Sequence, residues 1–234
     1  MEVVARRGNL GVGLEGTRAF LLEGSRVVKE LVGVSQVLEV VARPRVVQWA
    51  VDLALDLVAQ GASPEEARQA HAAVKRKASL TGQNLHRFVE AFLRGEAPSL
   101  PEGEEGKKAA AFAAWWREQR ARVVALEEVV AHPAKGFYGR LDLLAEMGSR
   151  LILVDVKATS GFRPQGEIQL GGYALALEAW WGVRPEEGLL LRVKGEGVEA
   201  RRVDLEAARE AFAAALTLYR FLEARRSTPQ EVLR

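Results

Sequence analysis

The run Leu151-Ile152-Leu153-Val154 leaves this chain the fewest choices of fold. Four consecutive apolar residues bounded by turn and charge signals read as a central strand buried on both faces. Gly148-Ser149, just before it, fits a two-residue hairpin turn. The preceding segment then returns antiparallel, with Met147 facing Arg150. Counting back through the pairs sets Asp142 opposite Asp155. Cross-strand partners share a face with Cβ atoms about 5 Å apart. Lys157, two residues further on, points the same way, and Val156 the other way. One side of a buried hairpin thus carries two carboxylates and one ammonium.

The rest of the chain supplies the layers around that strand. Residues 2–32 hold short β-like pieces, Val3-Val4, Ala19–Leu22 and Val27–Val32, punctuated by Gly11, Gly13, Gly16 and Gly24, and read as a glycine-broken hairpin. Helical periodicity follows: a helix capped by Ser35 to about Ala42, and a second from Val46 to Ala59. A third opens on the capping box Ser63-Pro64-Glu65-Glu66 and runs to about Lys77. Leu80-Thr81-Gly82 reads as a break, after which Asn84–Arg94 and Lys107–Arg122 are helices. Val123–Ala131, Phe137–Met147 and Arg150–Lys157 read as three strands. A helix over 166–181, a hairpin over 188–203 and a helix from Leu205 to about Arg225 complete the chain. The order predicts an α/β fold. A single domain spans 1–234, with an N-terminal hairpin and helical part over 1–122 wrapped on an α/β core over 123–226.

Composition narrows the chemistry. The 234 residues are 48% hydrophobic, enough for a sizeable core, and the formal net charge is only +2, so any basic surface must be local. The cysteine count is zero. That removes disulfides, thiolate zinc sites, a cysteine nucleophile and cysteine-held iron–sulfur clusters together. Arginine outnumbers lysine 25 to 8, a bias that fits a thermophilic source. No transmembrane run and no signal-peptide pattern are present, which reads as a cytoplasmic protein, bacterial or in a phage-infected host.

Two like charges side by side at the end of a buried strand repel unless a cation lies between them. Lys157 offsets one charge, and a divalent metal fits the other; carboxylate oxygens suit Mg²⁺ or Mn²⁺. Such an ion polarises a phosphoryl oxygen and lowers the pKa of bound water. Taken alone, an Asp-x-Lys is also what a structural salt bridge looks like. Gln169 and Tyr173, four apart, share a helix face and can hydrogen-bond to phosphate or base. Gly171 and Gly172 would allow a close backbone approach. His86, one of three histidines, follows Gly82-Gln83-Asn84-Leu85 at a helix start.

Together, Gly139-Arg140-Leu141-Asp142, then Val154-Asp155-Val156-Lys157-Ala158-Thr159, then Gln169 and Tyr173, resemble the PD-(D/E)XK nuclease superfamily, in its RecB-like and phage-type exonuclease branch. Gly82…His86 matches that branch's upstream helix, and Val34-Ser35-Gln36-Val37-Leu38…Trp49-Ala50 is similar to its N-terminal helix. The resemblance spans roughly residues 33–178 and implies a restriction-endonuclease-like core, a central mixed β-sheet flanked by helices. It further implies a metal-dependent DNA nuclease, most plainly an exonuclease of recombination, repair or phage DNA processing. Asp142, Asp155 and Lys157 would be catalytic. His86, Asp142, Asp155 and the carbonyl of Val156 would hold Mg²⁺ or Mn²⁺. Gln169, Tyr173 and Thr159 would position substrate, and Glu127 occupies a place where the family often has an acid. Lys75, Arg76, Lys77 and Arg87 are candidate contacts to the DNA backbone. Some relatives carry a four-cysteine iron–sulfur cluster, absent here, and without a Walker A motif no ATP is needed. The implied partner is DNA, at ends or as single strands, with no membrane. A homo-oligomer or a recombination or replication partner protein remains open. The alternatives are an endonuclease on the same fold and a non-catalytic DNA-binding subunit.

Overall fold

The computed structural model describes residues 1–41, 44–158 and 161–226. The expected N-terminal hairpin is a four-stranded antiparallel meander: β1 (Glu2–Arg7), β2 (Leu10–Glu15), β3 (Arg18–Glu23) and β4 (Arg26–Gly33). Its three turns each begin with a glycine at positive φ: Gly8 at 57°, Gly16 at 59° and Gly24 at 61°. That conformation matches the twist of two-residue hairpins. Gly148, at 64°, closes the Gly148-Ser149 turn in the same manner.

Two of the expected strands are each divided in two. Val123–Ala131 becomes β5 (Arg122–Leu126) and β6 (Val129–His132), while Phe137–Met147 becomes β7 (Phe137–Arg140) and β8 (Leu143–Met147). The breaks coincide. Glu127 N–H donates to the Asp142 carbonyl at 2.9 Å, and Leu141 N–H to the Glu128 carbonyl at 3.0 Å. The two segments therefore bend together at one corner, where Glu127 adopts a left-handed φ of 52°. Beyond the corner they join different sheets. One sheet runs β1-β2-β3-β4-β7-β6; the other runs β11-β10-β9-β8-β5, where β9 is Arg150–Lys157, β10 Glu187–Lys194 and β11 Gly197–Val203. The second sheet is mixed, since β9 and β10 run parallel while the other pairs are antiparallel.

Helices cover both faces of that second sheet. A short α1 (Val34–Val37) leads through a 3-10 turn to α2 (Pro44–Ala59), α3 (Pro64–Leu93) and α4 (Gly103–Gln119). α5 (Pro164–Trp181) and α6 (Leu205–Arg226) follow. Val154 and Val156 pack with Leu85 and Val89 of α3 and Phe112 of α4. Leu153 and Leu190 pack with Leu170, Ala174 and Leu177 of α5 and Phe212 of α6. A strand sandwiched in this way must be apolar on both sides, which explains the run at Leu151–Val154.

α3 is continuous through Leu80-Thr81-Gly82, where a break was expected. One interior glycine costs about 1 kcal/mol relative to alanine. Burial of Leu85, Phe88 and Val89 immediately beyond it outweighs that cost. Gly171 and Gly172 do admit a close approach, but of α6: a Cβ on Gly171 would overlap the Ala208 carbonyl, and one on Gly172 would lie 2.7 Å from the Phe212 ring. They serve helix packing rather than contact with a ligand backbone.

Candidate active site

The hairpin register is the expected one, from Met147 opposite Arg150 to Leu143 opposite Val154. The next position brings Asp142 to Asp155, though Asp142 sits at the corner before β8 rather than inside a strand. Its Oδ2 accepts the Val156 backbone N–H at 2.8 Å, which fixes the carboxylate on the edge of β9.

Glu127 arrives from the other side of the corner, and His86 from the last third of α3 rather than from a helix start. His86 Nδ1 lies 3.7 Å from Glu127 Oε1 and 3.7 Å from Asp142 Oδ2. Donor atoms of these three residues all fall within 4.8 Å of one another. Burial works against charge on His86, but the close approach of Glu127 and the charge of Asp142 outweigh it and raise its pKa to about 9. Burial likewise raises Asp142, against the pull of His86 and Lys157.

Asp155 faces the α5 side of β9 and is 1% exposed. Its Oδ1 accepts from Lys157 Nζ at 2.8 Å. Its Oδ2 is buried and has no hydrogen-bond partner. Burial pushes the carboxyl up to about 7, the attraction of Lys157 being set against the charge of Asp142. The group therefore fits a cation: an orphaned buried oxygen next to one nitrogen and two carboxylates. Oxygen and imidazole donors of this kind suit a hard divalent ion at about 2.1 Å bonds, and small side-chain adjustments would bridge the gaps.

The remaining expected residues form a chain behind the lysine. Lys157 Nζ also donates to Gln169 Oε1 at 3.0 Å, and Gln169 Nε2 donates to the Tyr173 hydroxyl at 2.8 Å. Tyr173 is 5% exposed, and burial followed by the nearby Asp142 and Asp155 charges raises its hydroxyl well above its ordinary value. Its ring crosses Gly139 so closely that a Cβ there would lie 2.5 Å from Cε1, which accounts for the glycine three residues before Asp142. Thr159 lies outside the described residues, as do the side chains of Lys75 and Lys77. Arg76 is exposed on α3, and Arg87 bonds to Asn84 at 2.9 Å. Among the described residues, no helix is long and apolar enough to cross a membrane.

Glu127 is the residue the sequence marked least. Glu128 is adjacent, and nothing local separates them; the corner selects Glu127 by turning its side chain toward His86.

The solved structures similar to this chain include three at 15% identity. SSO0001 is matched over 82% of this chain and 78% of its own, with a TM-score of 0.39. LHK-Exo in complex with dAMP is matched over 84% and 93%, with a TM-score of 0.38. The alkaline exonuclease LHK-Exo from Laribacter hongkongensis is matched over 84% and 93%, with a TM-score of 0.35. No curated protein matches the sequence. The model of the PD-(D/E)XK nuclease superfamily matches residues 45–231, well over half of the sequence and all of the site described above. The chain belongs to the PD-(D/E)XK nuclease superfamily.

Proposed function

We propose that this protein is a deoxyribonuclease that hydrolyses phosphodiester bonds with Mg²⁺ or Mn²⁺. We read it as an exonuclease acting on DNA ends or single strands in recombination, repair or phage DNA processing. The chain acts as one nuclease domain. The observation that carries this reading is the meeting of Lys157 and the orphaned Asp155 carboxylate with the His86, Glu127 and Asp142 group.

His86, Glu127, Asp142 and Asp155 would hold the ion, with the Val156 carbonyl beside them. A bound divalent ion supplies Lewis-acid polarisation of the phosphate and acidifies a water. Burial works against charge on Lys157, but Asp155 and Asp142 raise its pKa above the ordinary value. Its Nζ donates to Asp155 and Gln169, which engages two of an ammonium's three N–H groups. The third orients the attacking water or a phosphate oxygen and stabilises the charge that develops there. Gln169 and Tyr173 act on the strand through this lysine by fixing where its ammonium sits.

The test mixes purified protein with end-labelled linear DNA or closed circular DNA, in Mg²⁺, Mn²⁺ or EDTA. Mononucleotides or short oligomers from linear DNA alone support the exonuclease. Nicked circles would point to an endonuclease. No cleavage in either metal would reject the enzyme reading and leave a binding subunit.

A further inference from the structure

The face of the sheet that carries the lysine continues into a second group of cations. β9 and β10 pair Lys157 with Arg192 and Asp155 with Leu190. β10 and β11 pair Arg192 with Glu199 and Leu190 with Arg201. Partners across a sheet share a face. Arg192 and Arg201 therefore stand on the side of Asp155 and Lys157, one and two strands over, at about 4.8 Å per strand.

The segment between β9 and α5 brings Phe162 between them. The Arg201 guanidinium carbon lies 5.0 Å from the ring centroid and that of Arg192 lies 6.0 Å away. The ring is half-buried against the α5 core. Each guanidinium is also tethered by a carboxylate: Arg192 by Glu199 at 3.1 Å, Arg201 by Glu167 at 3.2 Å. Lys194, also paired with Glu199, brings the group to three cations against two carboxylates. In a chain of formal net charge +2, this is a local excess beside the reacting centre.

Stacking sets the plane of a guanidinium and leaves its N–H edge for an oxyanion. Arg201 is 51% exposed, so exchanging its carboxylate for a phosphate costs little. We propose that Phe162, Arg192 and Arg201 form a subsite for the DNA strand flanking the scissile phosphate. The arginines take a backbone phosphate, and the Phe162–Arg201 stack supports an unpaired base. Arginine–aromatic platforms accept any base, so the subsite holds a single strand without reading its sequence. The proposal rests on the nuclease reading above.

Binding of a fluorescein-labelled single-stranded oligonucleotide in EDTA tests it, with Kd measured from 50 to 200 mM salt. Arg201→Ala should weaken binding about five- to tenfold and lower the salt slope by about 0.7, the value for one single-strand phosphate. Phe162→Leu should weaken binding by at least about fivefold with the slope unchanged. Arg18→Ala is the control. Arg18 also pairs with a glutamate, Glu30 at 2.8 Å, and lies 5.0 Å over a Phe20 ring, but on β3 of the other sheet. It should bind as wild type does. Wild type cleaving DNA while Arg201→Ala matches Arg18→Ala in Kd and slope would overturn the subsite alone. Wild type neither binding nor cleaving would overturn the nuclease reading and the subsite with it.

Discussion

Without a bound metal, this protein should lose stability as pH rises from 6.5 to about 9. The unfolded chain releases the His86 proton near 6.5, whereas the folded site retains it to about 9. The native state thus binds a proton that the unfolded state has lost, and the slope of stability against pH is negative. The contribution is fully present below 6.5 and is lost through about 9. The gap corresponds to about 3 kcal/mol at most. His86 is 31% exposed, so screening brings the expectation to about 1–2 kcal/mol. Asp155 adds a loss of the same sign at lower pH, because burial holds its carboxyl up to about 7. Urea denaturation in EDTA at pH 6, 7, 8 and 9, for wild type and His86→Ala, measures the effect. His86→Ala should be the less stable protein at pH 6, and the two should converge by pH 9. A gap between them that does not change with pH would refute the linkage. Because a metal takes the place of these protons, stabilisation by Mn²⁺ should grow with pH over the same interval.

Glu127→Gly keeps a residue content with a left-handed φ while removing the carboxylate. Calorimetry should find metal affinity down at least tenfold, with thermal stability in EDTA lowered near pH 6, where Glu127 helps hold the His86 proton, and little changed near pH 9. Tyr173→Phe removes the hydroxyl that holds Gln169, and should lower kcat about tenfold with KM little changed; a change in KM alone would instead indicate direct contact with DNA. Gly139→Ala forces a Cβ to 2.5 Å from the Tyr173 ring, and should cost about 1–3 kcal/mol in denaturation experiments.

The central hairpin was legible because local signals set its register. An apolar strand and a Gly-Ser turn leave one pairing, and that pairing carries Asp142, Asp155 and Lys157 to one place. The corner was not legible. Glu127 turns left-handed without the glycine that would announce it, because β6 and β7 are drawn into the other sheet through the β4–β7 pairing. The continuity of α3 depends on Leu85 and Val89 packing under the sheet, which no helix propensity records. Gly171 and Gly172 carried the correct message of close approach, but the partner, α6, lies over thirty residues further along the chain. The arginine row on β10 and β11 becomes visible only once the parallel register sets Arg192 beside Lys157.

The most direct measurement is single-turnover cleavage of an end-labelled DNA strand by wild type and Lys157→Ala in saturating Mn²⁺, with Kd determined on the same samples. Wild type should cleave. Lys157→Ala should be slowed at least about a thousandfold while its Kd stays within about threefold, because the lysine acts on the reacting phosphate rather than on the strand as a whole. Equal cleavage by the two proteins would contradict the account at its centre.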